Sequence, residues 1–368
     1  MSLLDKMLKS GSKNGASVLS ESLYFNNTEF TPTNLPILNI AFSGSLKGGL
    51  TSGLTILAGE SKTFKSALAL YCLKSYLDRY KDAIGVLYDS EFGITPDYIK
   101  SFGIDPSRVI HIPVEHVEQL KFDIVKKLDA INRGERVFFL VDSIGQISSK
   151  KEVEDAIDEK SVADMTRAKS LRSLLRLVTI QLNTKNVPCI MINHVYQSIG
   201  GMYPSTVIPG GTAVTYSANQ IFVITKAQEK AADGNLDGWK FTINIFKSRF
   251  VKEKAKLPFT VLYEKGIQMT SGLLDIALES GHIIKPSMGW YQRVNMETGE
   301  IDPKKFRAKE TDNVEFWADI LKSSSFNEFV ESRYQIANSS IVQEDVIDTE
   351  LDKIDTNLAD FDDLADED

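Results

Sequence analysis

Eight residues near the start of the chain have the types and spacing of a phosphate-binding loop. A short apolar run, Thr55-Ile-Leu-Ala58, leads directly into Gly-Glu-Ser-Lys-Thr-Phe-Lys-Ser. The general pattern is glycine, four residues and Gly-Lys-Ser/Thr between a buried strand and a helix, so that backbone N–H groups meet phosphate oxygens. In this pattern Lys65 binds the β- and γ-phosphates and Ser66 binds Mg²⁺. The predicted phosphate-binding residues are Gly59, Glu60, Ser61, Lys62, Thr63, Phe64, Lys65 and Ser66.

One position departs from the pattern, because Phe64 stands where glycine is usual. A side chain is tolerable there only if φ is negative and Cβ points away from the nucleotide, so we expect a negative φ at Phe64. The following residues, 66–77, carry apolar side chains with helical recurrence, which supplies the helix that the loop requires. The alternative is a strand, turn and helix that match the pattern by chance.

Three polar side chains that follow apolar strands could complete a triphosphatase site. Asp142 ends the run Val137-Phe-Phe-Leu-Val and could hold a metal-bound water, although such an Asp usually caps the next element. Glu91 follows the strand after the loop helix and is our candidate general base, with an N-cap cluster as the alternative. His194 ends another strand and could hydrogen-bond the γ-phosphate, but a structural role is equally compatible with its position.

Short apolar strands alternate with helical patterns from Thr55 to Ile192, which predicts an α/β fold with a parallel sheet covered on both faces. After about residue 221 the pattern changes to hairpins, with Asp233-Gly and Asp237-Gly as turn signals. We therefore expect the sheet to end in antiparallel strands. From about Ser271 the chain is typical of a small mixed α+β domain.

Composition indicates an ordinary globular protein. The 368 residues are 42% hydrophobic and 25% charged, enough for one large core and a small second domain. Both cysteines, Cys72 and Cys189, sit in apolar runs, which favours buried thiols in a reducing compartment. The sequence has neither a long uninterrupted apolar stretch nor a signal-peptide pattern, so we expect a cytoplasmic protein without a membrane partner.

The net charge of −8 is unevenly distributed. Residues 344–368 form a tail with twelve acidic residues and one Lys, a local charge of −11. Residues 1–343 therefore carry a net charge of +3. A run of this kind is usually a solvated, disordered segment. The more specific interpretation is that the tail competes with DNA for a basic groove or docks a basic partner.

Taken together, these residues resemble the RecA family of recombinases over nearly the whole chain. The resemblance rests on the phosphate loop and on five further segments: Tyr88-Asp-Ser-Glu-Phe-Gly-Ile-Thr-Pro-Asp-Tyr98, Leu140-Val-Asp-Ser143, Ile192-Asn-His194, Pro209-Gly-Gly-Thr212 and Lys247-Ser-Arg249. The phage branch of the family also has Phe before the loop Lys, so Phe64 supports the match. The resemblance implies ATP and Mg²⁺ as ligands.

It also implies roles for single residues. Glu91 would activate water, Tyr98 would stack on adenine, and His194 takes the place of the family's γ-phosphate-sensing Gln. Lys247 and Arg249 would reach the ATP of a neighbouring protomer. Residues i and i+2 of a strand share a face, so both could reach one phosphate cluster, with a solvated edge-strand pair as the alternative.

Two DNA-contacting segments are implied at about 148–165 and 195–212. The second offers aromatic, Met and Gly residues that could stack on bases or allow close backbone approach, and the first leads into a basic helix. Three of the helix cations recur at i, i+3 and i+7 and so share a face, which could equally be a solvated face. The predicted DNA-binding residues are Arg167, Lys169, Arg172, Arg176, Tyr196, Met202, Tyr203, Gly210 and Gly211.

We therefore predict four parts: an oligomerisation arm (1–33), a RecA-like ATPase core (34–270), a small C-terminal domain (271–343) and an acidic tail (344–368). The function implied is a DNA-dependent ATPase that forms a helical filament on single-stranded DNA and exchanges strands with homologous duplex DNA. A single-strand-binding protein and a loader protein are the expected partners. The alternatives are a hexameric replicative helicase, against which the short N-terminus counts, and a non-enzymatic paralogue.

Overall fold

The computed structural model describes residues 2–10, 16–25, 29–159, 166–198, 206–230 and 236–336. Its strands are β1 (Gly53–Gly59), β2 (Ile84–Asp89), β3 (Val109–Pro113), β4 (Val137–Asp142), β5 (Pro188–His194), β6 (Tyr196–Gln197), β7 (Thr206–Val207), β8 (Gln220–Lys230), β9 (Leu236–Lys247), β10 (Lys256–Leu262), β11 (Gly266–Ile267), β12 (Ile283–Ser287), β13 (Trp290–Arg293) and β14 (Phe306–Arg307). Its α-helices are α1 (Leu3–Lys9), α2 (Pro36–Ser43), α3 (Lys65–Arg79), α4 (Pro96–Ser101), α5 (Val117–Ala130), α6 (Lys150–Ile157), α7 (Thr166–Lys185), α8 (Gly211–Ser217), α9 (Leu273–Glu279), α10 (Val314–Lys322) and α11 (Ser324–Tyr334).

Within the described residues, nine strands form one sheet in the order β11-β10-β9-β8-β1-β5-β4-β2-β3. The pairings from β8 through β1, β5, β4 and β2 to β3 are all parallel. The pairings of β8 with β9, β9 with β10, and β10 with β11 are antiparallel. The predicted α/β class, a mostly parallel sheet that ends antiparallel, is confirmed.

The sheet is covered on both faces because its central strands are apolar along their whole length. Every residue of β1 is buried, and its side chains alternate between two apolar layers. Leu57 packs in the layer with α2 and α3, whereas Ile56 packs in the layer with α5 and α7. The two thiols are buried as expected, Cys72 in the first layer and Cys189 in the second.

The prediction of a turn at Asp237-Gly is wrong. Both residues lie inside β9, which pairs with β8 on one side and β10 on the other. Gly238 is instead required by close packing of the strands, since a Cβ there would lie 2.2 Å from the carbonyl oxygen of Val261. The other predicted turn, Asp233-Gly, lies outside the described residues.

The C-terminal elements share the apolar core of the sheet. Trp317 of α10 is 1% exposed and belongs to the same layer as Phe241 and Phe259 of the sheet. The side-chain oxygen of Asn327 on α11 accepts two hydrogen bonds of 3.1 Å, one from the Ser45 hydroxyl and one from the Leu46 backbone N–H. Contacts therefore group the residues up to Gln335 into one unit, and β12, β13 and β14 form a separate small antiparallel sheet within it.

The N-terminal segment has little buried surface in this structure. Helix α1 contains no buried residue, and Leu3 is 73% exposed. The N-terminal segment contacts the rest of the protein at Glu29. The Glu29 carboxylate accepts a 2.6 Å hydrogen bond from the Tyr80 hydroxyl and forms an ion pair with Arg136 at 3.0 Å. None of the helices among the described residues combines the length and apolar character that crossing a bilayer requires.

Candidate nucleotide-binding site and DNA-binding surface

The loop between β1 and α3 closes over the ammonium group of Lys65. β1 ends at Gly59 and α3 begins at Lys65, so the predicted strand, loop and helix are present. The Lys65 Nζ atom lies 3.1 Å from the carbonyl oxygen of Gly59, 2.6 Å from that of Glu60 and 3.4 Å from the Thr63 hydroxyl. Burial lowers the pKa of Lys65, while the nearby Asp142 carboxylate acts in the opposite direction.

The prediction of a negative φ at Phe64 is wrong. Its φ is +68°, in the left-handed region that glycine usually fills, and Lys62 has a φ of +60°. This conformation costs roughly 1–2 kcal/mol in a residue with a Cβ. The Phe64 ring stacks on Phe241 with centroids 5.1 Å apart and lies 5.9 Å from the ring of Phe259. Aromatic packing against β9 and β10 thus offsets the backbone strain.

Ser66 and Asp142 form an oxygen pair suited to Mg²⁺. The Ser66 hydroxyl donates a 2.6 Å hydrogen bond to Asp142 Oδ2. The other oxygen, Oδ1, is buried without a hydrogen-bond partner among the described residues. An orphaned carboxylate oxygen beside a hydroxyl fits a hard cation that takes one or two protein oxygens together with phosphates and waters.

The ionisation of Asp142 is set mainly by its burial. The residue is 4% exposed, and burial raises its pKa to about 6. The hydrogen bond from Ser66 opposes this rise, whereas the charges of Glu91 and Asp89 add to it. A bound cation would reverse this balance, because it favours the charged carboxylate.

Glu91 is held by side chains from the ends of two neighbouring strands. The Ser143 hydroxyl donates a 2.6 Å hydrogen bond to Glu91 Oε1, and His194 Nε2 lies 2.9 Å from the same oxygen. Burial alone would raise the pKa of Glu91, but these two contacts and the Lys65 charge hold it below its usual value. Glu91 is therefore ionised at neutral pH, and its Oε2 atom receives no hydrogen bond from the part of the chain that the structure describes.

The alternative for this cluster, an N-cap of the next helix, is wrong, because the Thr95 hydroxyl caps α4, and Asp89 instead shapes the turn that carries Glu91. Asp89 Oδ1 accepts hydrogen bonds from the backbone N–H groups of Glu91 at 3.0 Å and Phe92 at 2.7 Å. This turn directs the Glu91 side chain toward the phosphate loop. Sequence reasoning missed the role of Ser143, although its place directly after Asp142 at a strand end could have indicated it.

An open cleft of about 1020 Å³ joins these groups. Tyr98 lies in it, 38% exposed, with its ring edge-on to Phe102 at 5.3 Å. Sequence reasoning missed two aromatic residues of the cleft, Trp239 and Tyr263, whose side chains share a 2.9 Å hydrogen bond. The residues that line the cleft include Lys62, Phe64, Lys65, Ser66, Glu91, Tyr98, Asp142, His194, Trp239 and Tyr263.

The basic pair lies outside this cleft. Strand β9 ends at Lys247, and Arg249 is exposed in the bend that follows, so the prediction that both share one strand face is wrong. The Lys247 ammonium donates a 2.6 Å hydrogen bond to the carbonyl oxygen of Thr215 and lines a separate groove of about 770 Å³. Burial lowers the pKa of Lys247, and the charge of Arg249 adds to this effect.

Three of the predicted DNA-binding cations lie on the exposed face of α7. Lys169, Arg172 and Arg176 are all exposed, while the opposite face packs Leu171, Leu174, Leu175, Val178 and Leu182 into the core. The first implied DNA segment contains helix α6, and its residues 160–165 lie outside the described part of the chain.

Arg167 differs from these three because its guanidinium is already engaged. It donates hydrogen bonds to the carbonyl oxygens of Ile144 at 3.1 Å, Gly145 at 2.8 Å and Ile147 at 2.7 Å. These carbonyls belong to the segment that follows β4. Arg167 therefore fastens the residues directly before the first implied DNA segment to the start of α7.

The second implied DNA segment is described only at its two ends. Tyr196 is 55% exposed on β6, which pairs with β7. Gly210 and Gly211 have φ values of +97° and +60°, and Gly210 is the N-cap of α8, so backbone geometry explains glycine at both positions. Met202 and Tyr203 lie outside the described residues.

Comparison with known proteins gives consistent matches along the chain. The RecA N-terminal domain family matches residues 19–268, and the C-terminal domain of the bacteriophage T4 recombination and repair protein matches residues 270–330. The chain is 46% identical over 357 residues to the recombination and repair protein of Enterobacteria phage T4, covering 96% of this chain and 90% of that protein.

Bacterial proteins match at lower identity. The RecA protein of Aquifex aeolicus is 26% identical over 289 residues, which are 78% of this chain and 80% of that protein. The RecA protein of Chlorobaculum tepidum is 28% identical over 261 residues, which are 69% and 71% of the two chains.

Protons and Mg²⁺ should compete for Asp142. Because its pKa is about 6, lowering the pH from 7.5 to 5.5 reduces the ionised fraction about fourfold, and the Mg²⁺ concentration needed for nucleotide binding should rise accordingly. Titrating Mg²⁺ against a fluorescent ATP analogue at both pH values measures this effect. The Asp142→Asn variant should need more Mg²⁺ at pH 7.5 and should show only the smaller pH effect that arises from the nucleotide itself.

Stability without Mg²⁺ provides the control. A carboxyl whose pKa is raised by folding stabilises the fold at low pH and loses that contribution as pH rises through about 6. Asp142→Asn should therefore have a higher Tm than the unmodified chain at pH 7.5, and the difference in Tm should disappear below about pH 4.

In the Mg²⁺ titration, equal Mg²⁺ requirements of the unmodified chain and Asp142→Asn would contradict the metal assignment.

Proposed function

The chain belongs to the RecA family of recombination proteins, and we propose that it is a DNA-dependent ATPase that forms a filament on single-stranded DNA and exchanges strands with a homologous duplex. The observation that carries this proposal is the meeting of Lys65, Ser66, Asp142, Glu91 and His194 in one cleft. The identity of 46% to a phage recombination and repair protein supports the same role in recombination and repair. The match to that protein does not favour the helicase alternative.

In the proposed site the phosphate loop and Lys65 bind the triphosphate. Ser66 and Asp142 would hold Mg²⁺, which when bound neutralises charge on the β- and γ-phosphates. Tyr98 lies on the wall of the same cleft and is proposed to stack on the base. Backbone N–H groups at the start of α3 and the Lys65 ammonium then stabilise the negative charge that develops on the transferring phosphoryl group.

Glu91 is proposed to orient and deprotonate the attacking water. Its lowered pKa keeps Glu91 ionised. Ser143 and His194 contact Oε1, so Oε2 is the oxygen proposed to accept the proton of water. A base held by two neighbours loses little conformational freedom when water binds. His194 also ends β5, directly before the second DNA segment, so we propose that it links DNA binding to the position of Glu91.

Lys247 and Arg249 are proposed to act on the ATP of a neighbouring protomer. Neither residue lines the cleft that contains Glu91 in its own chain, and Lys247 faces a different groove. Two cations can serve as an arginine-finger-like pair only if another protomer presents its triphosphate to them. This arrangement makes hydrolysis depend on filament contacts.

DNA binding is proposed to combine charge and stacking. The exposed stripe of Lys169, Arg172 and Arg176 would follow the phosphate backbone, while Tyr196 offers a ring for a base. We propose the four parts predicted above as functional divisions, with the N-terminal arm in oligomerisation. A single-strand-binding protein and a loader protein remain the proposed partners.

Electron microscopy with single-stranded DNA, Mg²⁺ and a slowly hydrolysed ATP analogue tests the function directly. We expect helical filaments, and DNA-stimulated ATP turnover that Lys65→Ala lowers by a factor on the order of 10² or more, because the charge that stabilises the transferring phosphoryl group is lost. Closed rings would favour the helicase alternative. Near-normal turnover of Lys65→Ala would refute the site assignment.

Action in trans can be tested by mixing two inactive proteins. The double variant Lys247→Ala, Arg249→Ala keeps Glu91, and Glu91→Gln keeps the basic pair. Where the first protein presents its cleft to the second, an intact base meets an intact pair, so mixed filaments should recover part of the ATP turnover. A mixture that shows only the average of the two separate proteins would contradict the proposal.

The acidic tail, residues 344–368, is proposed to limit access of duplex DNA, although it lies outside the described residues. Its twelve carboxylates can occupy cationic surface that DNA phosphates need, and duplex DNA has the higher charge density. Truncation after Gln343 should therefore tighten duplex binding. The gain should shrink with rising salt, since the Debye length is about 8 Å at physiological ionic strength. Equal duplex affinities of the full and truncated chains at low salt would refute this role.

A further inference from the structure

The phosphate loop contains no glycine between Gly59 and Lys65, yet two of its residues adopt the backbone conformation typical of glycine. These residues are Lys62, with a φ of +60°, and Phe64, with a φ of +68°. A residue with a Cβ keeps this conformation only where its surroundings enforce it. In this loop both residues are held by contacts from the antiparallel half of the sheet.

The contact at Phe64 is a stack of three rings. The Phe64 and Phe241 ring planes are 29° apart, with centroids at 5.1 Å. Phe241 stacks in turn on Phe259 at 5.4 Å and 27°, and these two residues are register partners on β9 and β10. Phe241 is 4% exposed and Phe259 is fully buried, so Phe64 rests on a rigid surface.

The contact at Lys62 fixes the other left-handed residue. Lys226 of β8 donates a 3.2 Å hydrogen bond to the Lys62 carbonyl oxygen, and its ammonium lies 4.8 Å from the centroid of the Trp239 ring. Between the two held residues, the Thr63 hydroxyl donates a 2.8 Å hydrogen bond to the Glu60 carbonyl oxygen. Strands β8, β9 and β10 therefore contact the loop on both sides of Thr63.

We propose that Phe64 is a positioning residue of the nucleotide site, which acts through its stack on Phe241 to set the loop backbone and so to place Lys65. The proposal rests on the ATP site proposed above and deepens it. Phe64 directly precedes Lys65, and its carbonyl oxygen accepts a 2.9 Å hydrogen bond from the Leu68 N–H in the first turn of α3. In loops with glycine at this position, the conformation needs no side-chain support.

The test compares Phe64→Leu, Phe241→Leu and the double variant in the full chain. Leucine keeps an apolar side chain but removes the flat ring, so each single change should weaken binding of a fluorescent ATP analogue with Mg²⁺ about 3- to 10-fold. The kcat of ATP turnover should fall as well, because a displaced Lys65 stabilises the transferring phosphoryl group less well. The double variant should bind no worse than the weaker single variant, since both changes remove one interaction.

Two further variants separate loop placement from general stability. Phe42→Leu makes the same change in a different aromatic pair, Phe42 with Phe222 at 5.1 Å, which is fully buried and does not line the cleft. It should lower Tm without changing the analogue Kd. Phe64→Tyr, which keeps a ring, should bind at least about threefold more tightly than Phe64→Leu. If Phe241→Leu fails to fold, the Tyr and Leu variants of the half-buried Phe64 decide the question.

Phe64→Gly gives the sharpest contrast. Glycine removes the backbone strain but also the ring, so the proposal predicts weaker analogue binding than in the unmodified chain. Equal or tighter binding by Phe64→Gly, or affinities of Phe64→Leu and Phe241→Leu that match the unmodified chain, would overturn the proposal. If the unmodified chain binds no analogue and Lys65→Ala behaves identically, the ATP site itself is refuted, which distinguishes the two failures.

Discussion

The candidate site depends on the register of parallel strands. Gly59 at the end of β1 pairs directly with His194 at the end of β5, and Asp89 of β2 pairs with Asp142 of β4. The carboxyl ends of four strands therefore meet at one edge, where the N-terminus of α3 also begins. Because side chains alternate along a strand, a slip of one residue would turn His194 or Asp142 to the opposite face. The chemistry follows from this alignment.

The phosphate loop shows how tertiary contacts can replace a glycine. Each left-handed residue with a Cβ costs roughly 1–2 kcal/mol, and Lys62 and Phe64 are both of this kind. An aromatic stack and a lysine hydrogen bond from the antiparallel strands offset the cost. The antiparallel end of the sheet, which contributes Trp239 and Phe241, thus forms part of the candidate nucleotide cleft.

The carboxylate site and the implied DNA segments are close together in the fold. His194 contacts Glu91 at 2.9 Å and immediately precedes the second implied DNA segment. The segment after β4 is tied to β5 by a 2.9 Å hydrogen bond from the Ile144 N–H to the Ile192 carbonyl oxygen, and it is tied to α7 by Arg167. A displacement at either DNA segment therefore has a short path to the base of the proposed reaction.

The sequence by itself determined the strand, loop and helix around Lys65 and the mostly parallel sheet, because apolar periodicity and the loop spacing are local properties of the chain. It also placed Asp142, Glu91 and His194 at strand ends. Only the tertiary structure decided the positive φ of Phe64 and the position of Gly238 inside a strand. It also decided that β9 ends at Lys247, so that Arg249 lies in the bend beyond it. It alone brought Ser143 to Glu91, and Trp239 and Tyr263 to the cleft. These features arise from contacts between residues far apart in the chain, and such contacts leave no pattern in the local sequence.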